Sequence, residues 1–386
     1  MKTNISGYSA AACALLCVVG AAFTIGGPLD PPMGPITPTY KTLTEVEPRI
    51  AINAVNTPGD AGSTFRITEP GSYYLTGNVI GVAGKNGIEV AVDNVTIDLN
   101  GFQLIGMENS REGICVTATG SRLVSIRNGS VRGWGESGVC TVNVSGSVLL
   151  ELRAWNNAGR GIEAGPSAVI RNCTAQANLL EGITVGNNGS LSGCTVQENT
   201  GAGMVLGNGS VVDGCTSGHN LGVGIIAGTG CTLTSTTVRY NGVDGFQLDY
   251  GCTITASTAA FNARDGFATL GAGVSIRGCT SEANTRDGLR ALADCIIADS
   301  TFDSNGYGSG VGAGIHTMGF HNRIEGNNIT DCDVGIQVDV AHSVIIRNTL
   351  ADNGVNLVIA PGNMAGALVT NETELHAANA NSNMIY

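Results

Sequence analysis

Residues 178–198 read NLLEGITVGNNGSLSGCTVQE, and residues 199–219 read NTGAGMVLGNGSVVDGCTSGH. Set one above the other, the two 21-residue lines agree in character position by position. Asn178 stands over Asn199, Gly182 over Gly203, Ile183 and Val185 over Met204 and Leu206, and Cys194 over Cys215. Moving outward, a glycine followed by an apolar residue recurs at Gly161, Gly182, Gly203, Gly224, Gly245 and Gly266, every 21 residues. The series continues at Gly288, Gly314 and Gly335 and reaches back, more widely spaced, to Gly138, Gly113 and Gly87. A sustained period between 20 and 50 residues is the mark of a solenoid, in which each repeat buries its apolar face only against its neighbours.

The pattern inside one repeat sets the type of solenoid. Ile183 and Val185 alternate with Thr184 and share an inward face. Leu191 opens a second strand, and Cys194 with Val196 gives a third. The turn residues Gly186–Gly189 and Glu198–Gly201 separate them. No repeat has the length and 3.6-residue apolar period of a helix, so the class is all-β. A second file fixes the register: Asn157, Asn178, Asn199, Asn220, Asn241 and Asn262 are 21 apart and are followed by Asn284 and Asn305. Stacked about 4.8 Å apart, each amide donates to one neighbour and accepts from the other.

Three short strands per coil, this asparagine ladder and the phrase Asn94-Val-Thr-Ile-Asp-Leu-Asn-Gly101 resemble the right-handed parallel β-helix family of pectin-lyase-like proteins. The resemblance covers about 87–356 and implies a solenoid of about twelve coils, mostly of 21 residues. It does not imply one activity, because the family holds polysaccharide lyases, glycoside hydrolases, uronate epimerases, phage tailspikes and surface proteins without known catalysis. The Gly-His-Gly of the polygalacturonase type is approached only by Gly218-His219-Asn220, and its Arg-Ile-Lys is missing. The Asp-Pro-His-Asp of alginate epimerases is missing too. Both reactions are therefore disfavoured.

Residues 1–26 read as a secretory signal, with Lys2 before an apolar run from about Ala10 to Ile25. A Pro-rich spacer at 27–39 follows, then an N-terminal cap at 40–86, the β-helix at 87–356 and a C-terminal cap or tail at 357–386. The expected location is extracytoplasmic, secreted or at the cell surface, with no membrane span in the mature chain and a monomeric state. Net charge is −12, with 19 Lys+Arg against 31 Asp+Glu and no basic cluster, which argues against nucleic acid. The expected partner is a polysaccharide or cell-surface glycan, because stiff, flat sheet faces suit an extended polymer. The ten cysteines beyond the signal follow the coils. Stacked in-register residues have parallel Cβ vectors that fit a disulfide badly, so buried free thiols are expected.

The best candidate site is a charge file. Asp244, Asp265 and Asp287 each precede a rung glycine on successive coils, and Arg264 and Arg286 stand one residue before two of them. Arg290, His316 and Asp249 lie near the outer face of the same sheet. A lyase of the pectate type, as the resemblance implies, needs acids holding Ca²⁺ against a uronate and a basic residue that removes the proton beside the carboxylate. Asp244, Asp265, Asp287 and Asp249 are the candidate Ca²⁺ ligands; Arg264, Arg286, Arg290 and His316 are the candidate catalytic groups. The plainer reading is an exposed Arg–Asp network that relieves its own repulsion. His321 and His342, with Cys295 expected one coil below, are a weaker metal candidate, since three collinear ligands make no tetrahedron. Trp134 and Trp155 are candidate sugar platforms, Phe246 and Phe267 core residues, and Gly306–Gly312 a loop that walls a groove.

Overall fold

Stacking of the 21-residue repeat puts two strands of each coil into a parallel sheet of 28 strands and the third into a parallel sheet of 14. The chain is a parallel β-helix, seen here in a computed structural model that describes residues 47–118, 120–306 and 312–386. Residues 49–386 form one unit around a continuous core. The expected signal at 1–26, the spacer at 27–39 and residues 40–46 of the expected cap lie outside the described residues, as does 307–311 of the expected loop.

The apolar residue after each rung glycine points inward and stacks on its equivalents. Ile183 pairs in register with Met204, and the file runs on through Ile225, Phe246, Phe267, Leu289, Ile315, Ile336 and Leu357. Phe246 and Phe267 are fully buried, with ring centroids 4.9 Å apart. The coil count is higher than the glycine series implies. Ser63–Ile67 pairs with Asn86–Val90 and makes a rung inside the expected cap, but Thr64 holds the glycine position there. At the other end Val355–Ile359 pairs with Val334–Val338, and Asn356 takes the last glycine place, the rung on which the expected count of about twelve already closes. Beyond it a helix of one and a half turns, Glu372–Ala377, precedes Asn383–Ile385, which pairs with Thr349–Ala351 and ends the stack.

The glycines are required by the asparagines. Asn178 Nδ2 donates to Asn199 Oδ1 at 2.9 Å, Asn199 to Asn220 at 2.9 Å, Asn220 to Asn241 at 3.0 Å, and the ladder runs on to Asn305. Each Oδ1 also accepts from the backbone N–H of the preceding asparagine, for example Asn199 N at 3.0 Å. A Cβ on Gly203 would lie 2.7 Å from Asn220 Nδ2 and 2.5 Å from the Gly224 carbonyl oxygen; one on Gly224 would meet Asn241 Nδ2 at 2.7 Å and the Gly245 oxygen at 2.6 Å. The amide occupies the space that any other residue would need. Cys332 interrupts the ladder beyond Asn305, and its backbone N–H donates to Asn353 Oδ1 at 3.0 Å.

All ten cysteines in the described residues are free thiols. Eight of them lie in the core, as expected, but Cys115 and Cys140 do not. Each sits between two inward residues of its strand, and both point to the outer face.

Asn220→Ala removes the acceptor of two buried donors on Asn199 and should cost about 2–4 kcal/mol. Asn187→Ala, at an exposed turn amide, should change stability by less than about 1 kcal/mol. Urea unfolding followed by circular dichroism measures both.

Candidate functional site

The three aspartates of the charge file stand at the starts of the strands Phe246–Leu248, Phe267–Thr269 and Leu289–Ala291. They are not exposed: Asp244 and Asp265 are 0% and Asp287 3% accessible. Carboxylates one strand apart in register would repel by about 3–4 kcal/mol at an effective dielectric of 20. Burial would make this worse unless each is paired. The arginine preceding the next aspartate supplies the pairing.

Arg264 reaches back one coil and grips Asp244 with two nitrogens, Nε to Oδ1 at 2.6 Å and Nη2 to Oδ2. Gln247 Nε2 also donates to Asp244 Oδ2 at 2.8 Å, and the Asp265 N–H to Oδ1 at 3.1 Å. Burial opposes ionisation of Asp244, but the hydrogen bonds from Arg264 and Gln247 outweigh it and hold its pKa below the usual value. One coil on, Arg286 grips Asp265 in the same way, with Nε 2.6 Å from Oδ1. Arg290 Nε adds a bond to Asp265 Oδ2 at 2.8 Å. The same bonds raise the pKa of Arg264 and Arg286 above the ordinary arginine value, against the opposing effect of burial. Both guanidiniums are thereby held protonated, which is unfavourable for a base.

Asp287 ends the file and meets a different partner. Its Oδ1 accepts the Ala313 N–H at 2.9 Å, and its Oδ2 lies 3.3 Å from His316 Nδ1. His316 Nε2 lies 2.9 Å from Asp339 Oδ2, so the imidazole is held between two carboxylates. Burial works against its charge, yet the bonds to Asp287 and Asp339 prevail and raise its pKa above the ordinary histidine value. Arg290 and His316 are register partners on adjacent strands, followed by Gln337 in the same outward file. The site therefore consists of an outward guanidinium and an outward imidazole, each anchored to a buried acid.

The exposed network expected from sequence is thus half right: the arginines reach solvent, but the acids do not. Asp249 stands at the far end of its strand, where it accepts from Thr229 Oγ1 at 3.0 Å and its neighbour Tyr250 N–H at 2.8 Å, away from the file. Asp339 and Gln337 were missed. Their signal is nonetheless present, since Asp339 follows Gly335 by the same four residues that separate Asp249 from Gly245, and Gln337 shares the offset of Arg290 and His316. Among the described residues, no three His, Cys, Asp or Glu side chains converge as a metal site. His321 and His342 stack loosely with centroids 6.0 Å apart, but the residue one coil below His321 is Asp294, 3.4 Å away, while Cys295 is buried in the core. Trp134 is buried and offers no sugar platform, whereas Trp155 stays 41% exposed with Arg132 over its ring at 5.1 Å.

The family model for the right handed beta helix region matches residues 64–217 and 208–350, and the chain belongs to that family. A search of curated protein sequences gives no match. Among solved structures, the chain is similar to the A-module of the Azotobacter vinelandii mannuronan C-5 epimerase AlgE6, at 14% identity and a TM-score of 0.54, over 73% of this chain and 91% of that one. The AlgE4 A-module from the same organism gives 17% identity and 0.51, over 77% and 91%. The Dettilon tailspike protein gp208 gives 13% and 0.51, over 72% and 60%. At these identities the likeness establishes the fold alone. No helix among the described residues is long and apolar enough to cross a membrane.

A raised folded-state pKa at His316 means that its contribution to stability is full below the unfolded value, about 6.5, and is lost as pH rises through the folded value. The stability difference between wild type and His316→Gln should therefore be largest at about pH 5.5–6.5 and shrink toward pH 9, as measured by urea unfolding across that range. A difference independent of pH would mean that the two aspartates leave the His316 pKa unshifted on folding.

Proposed function

We propose that this protein works outside the cytoplasm, secreted or at the cell surface, and binds an extended acidic polysaccharide along the outer face of the 14-stranded sheet. One observation carries the reading: Arg290 and His316 stand side by side on that face, fixed from behind by the buried Asp265 and Asp287. Side chains held in place before a ligand arrives lose little freedom on binding, which favours affinity. Arg264 and Arg286, 40% and 37% exposed, extend the strip along the coils. The outward members of the strip are guanidiniums, a group suited to carboxylates spaced along a polymer. The outer face of a parallel stack is straight and periodic, which matches a linear ligand better than a compact one.

A Ca²⁺-dependent uronate lyase is the second reading, favoured by the Asp287–His316–Asp339 arrangement, which can hold or release a proton near neutral pH. Against it, both oxygens of Asp244 and Asp265 are engaged by guanidiniums, which Ca²⁺ would have to displace. A structural adhesin without glycan binding is the third reading.

The test is calorimetric titration of residues 27–386 with polygalacturonate, alginate and a neutral glucan, with and without Ca²⁺, and mass spectrometry of the products. Binding to the acidic polymers alone is expected, weakening with salt and falling by about tenfold or more in Arg290→Ala and in His316→Ala. Equal binding by both variants would overturn the site, and no binding to any polymer would leave the adhesin. Unsaturated fragments formed only with Ca²⁺ would establish the lyase.

A further inference from the structure

The outward file that carries Arg290 and His316 also carries two thiols near its other end. Cys115 and Cys140 are register partners on the strands Ile114–Val116 and Val139–Thr141. Glu89 precedes them in the file and Glu163 follows. The two cysteines are 9% and 7% accessible, so they are shallowly covered and lie outside the core that holds the other eight. Cys140 Sγ lies 3.9 Å from Glu163 Oε2. Both flanking acids are already committed. Arg66 Nε is 3.3 Å from Glu89 Oε1, which also accepts from Thr117 Oγ1 at 2.9 Å, and Arg160 Nη1 is 3.2 Å from Glu163 Oε1.

We propose that Cys115 and Cys140 form a two-thiolate site for a soft monovalent cation, Cu(I). Thiolate pairs select soft ions over the hard cations that prefer oxygen. Zinc takes four ligands in a tetrahedron, and no third donor of that kind converges here among the described residues. Two donors alone make a linear site, which Cu(I) accepts. The strand spacing of about 4.8 Å is close to twice a metal–thiolate bond of about 2.3 Å, so an ion fits between the stacked sulfurs without moving the backbone. A disulfide is less well served, because it needs Cβ atoms at about 3.5–4.5 Å and sulfurs at about 2.05 Å, closer than in-register strands bring them. Binding releases two thiol protons for one cation and leaves a single negative charge on the site.

The test is anaerobic titration of the reduced full chain with Cu(I) against a colorimetric Cu(I) chelator, read together with thiolate-to-metal absorption in the near ultraviolet. One equivalent should bind in the wild type. In Cys140→Ser the affinity should fall by more than about 100-fold, beyond what changes around a metal site usually cause. The double variant C115S/C140S should lose the site with its circular dichroism and thermal midpoint unchanged, since neither side chain contributes to the core. The core thiols are common to both proteins and give the same background. The proposal is overturned if the double variant binds as tightly as the wild type, if the folded wild type binds no Cu(I), or if peptide mapping without reductant finds Cys115 and Cys140 joined.

Discussion

The amide of each ladder asparagine fills the volume where the Cβ of the rung residue would be, and the rest of the solenoid follows from that contact. Asn220 Nδ2 is 2.7 Å from the position a side chain on Gly203 would take, and the same clash recurs at Gly161, Gly182, Gly224, Gly245, Gly266 and Gly288. The glycine lets one coil settle onto the next, and the settled coil brings the following asparagine within 2.9–3.0 Å. Neither partner is useful alone. This mutual requirement recurs in each coil from Gly161 to Gly288, where a rung glycine and the asparagine that fills its gap stand 17 or 18 residues apart.

A stack in strict register repeats every choice. Apolar residues become files that bury each other, and polar ones become files that must be compensated. The Asp244–Asp265–Asp287 file is the severest case, with acids buried one strand apart. Arginines placed one residue before the next aspartate reach back and grip the preceding one, so cation and anion alternate along the axis. Replacing a buried ion pair by apolar groups is often neutral for stability, whereas removing one partner is costly. The network is better understood as a device that fixes Arg290 and His316 in place than as a source of stability.

The same register turns the outer face into a ruler. From Cys140 the outward file passes through Glu163, Thr184, Val205, Ile226, Gln247 and Ala268 to Arg290, seven steps or about 34 Å. A thiol pair and Arg290 thus share one file of the same sheet, separated by Glu163, Gln247 and four small or apolar residues. Distances along that line are set by strand spacing, which makes them insensitive to substitutions that leave the ladder intact.

The sequence by itself determined the fold, since period, strand alternation and ladder are local patterns that the stack merely repeats. It also placed Asp244, Asp265, Asp287 and the arginines within one neighbourhood, because 21-residue offsets become contacts. What it did not determine was direction. Whether Asp244 faces solvent or interior depends on the turn before its strand, and only the tertiary structure showed it turned inward onto Arg264. Likewise Cys115 and Cys140 look like the eight core cysteines in composition, but the two-residue alternation of their strands points them out. The first rung at Ser63–Ile67 was hidden because Thr64 stands where the later rungs have glycine. Asp339 carried a sequence signal, its four-residue offset from Gly335, but only the fold set it against His316.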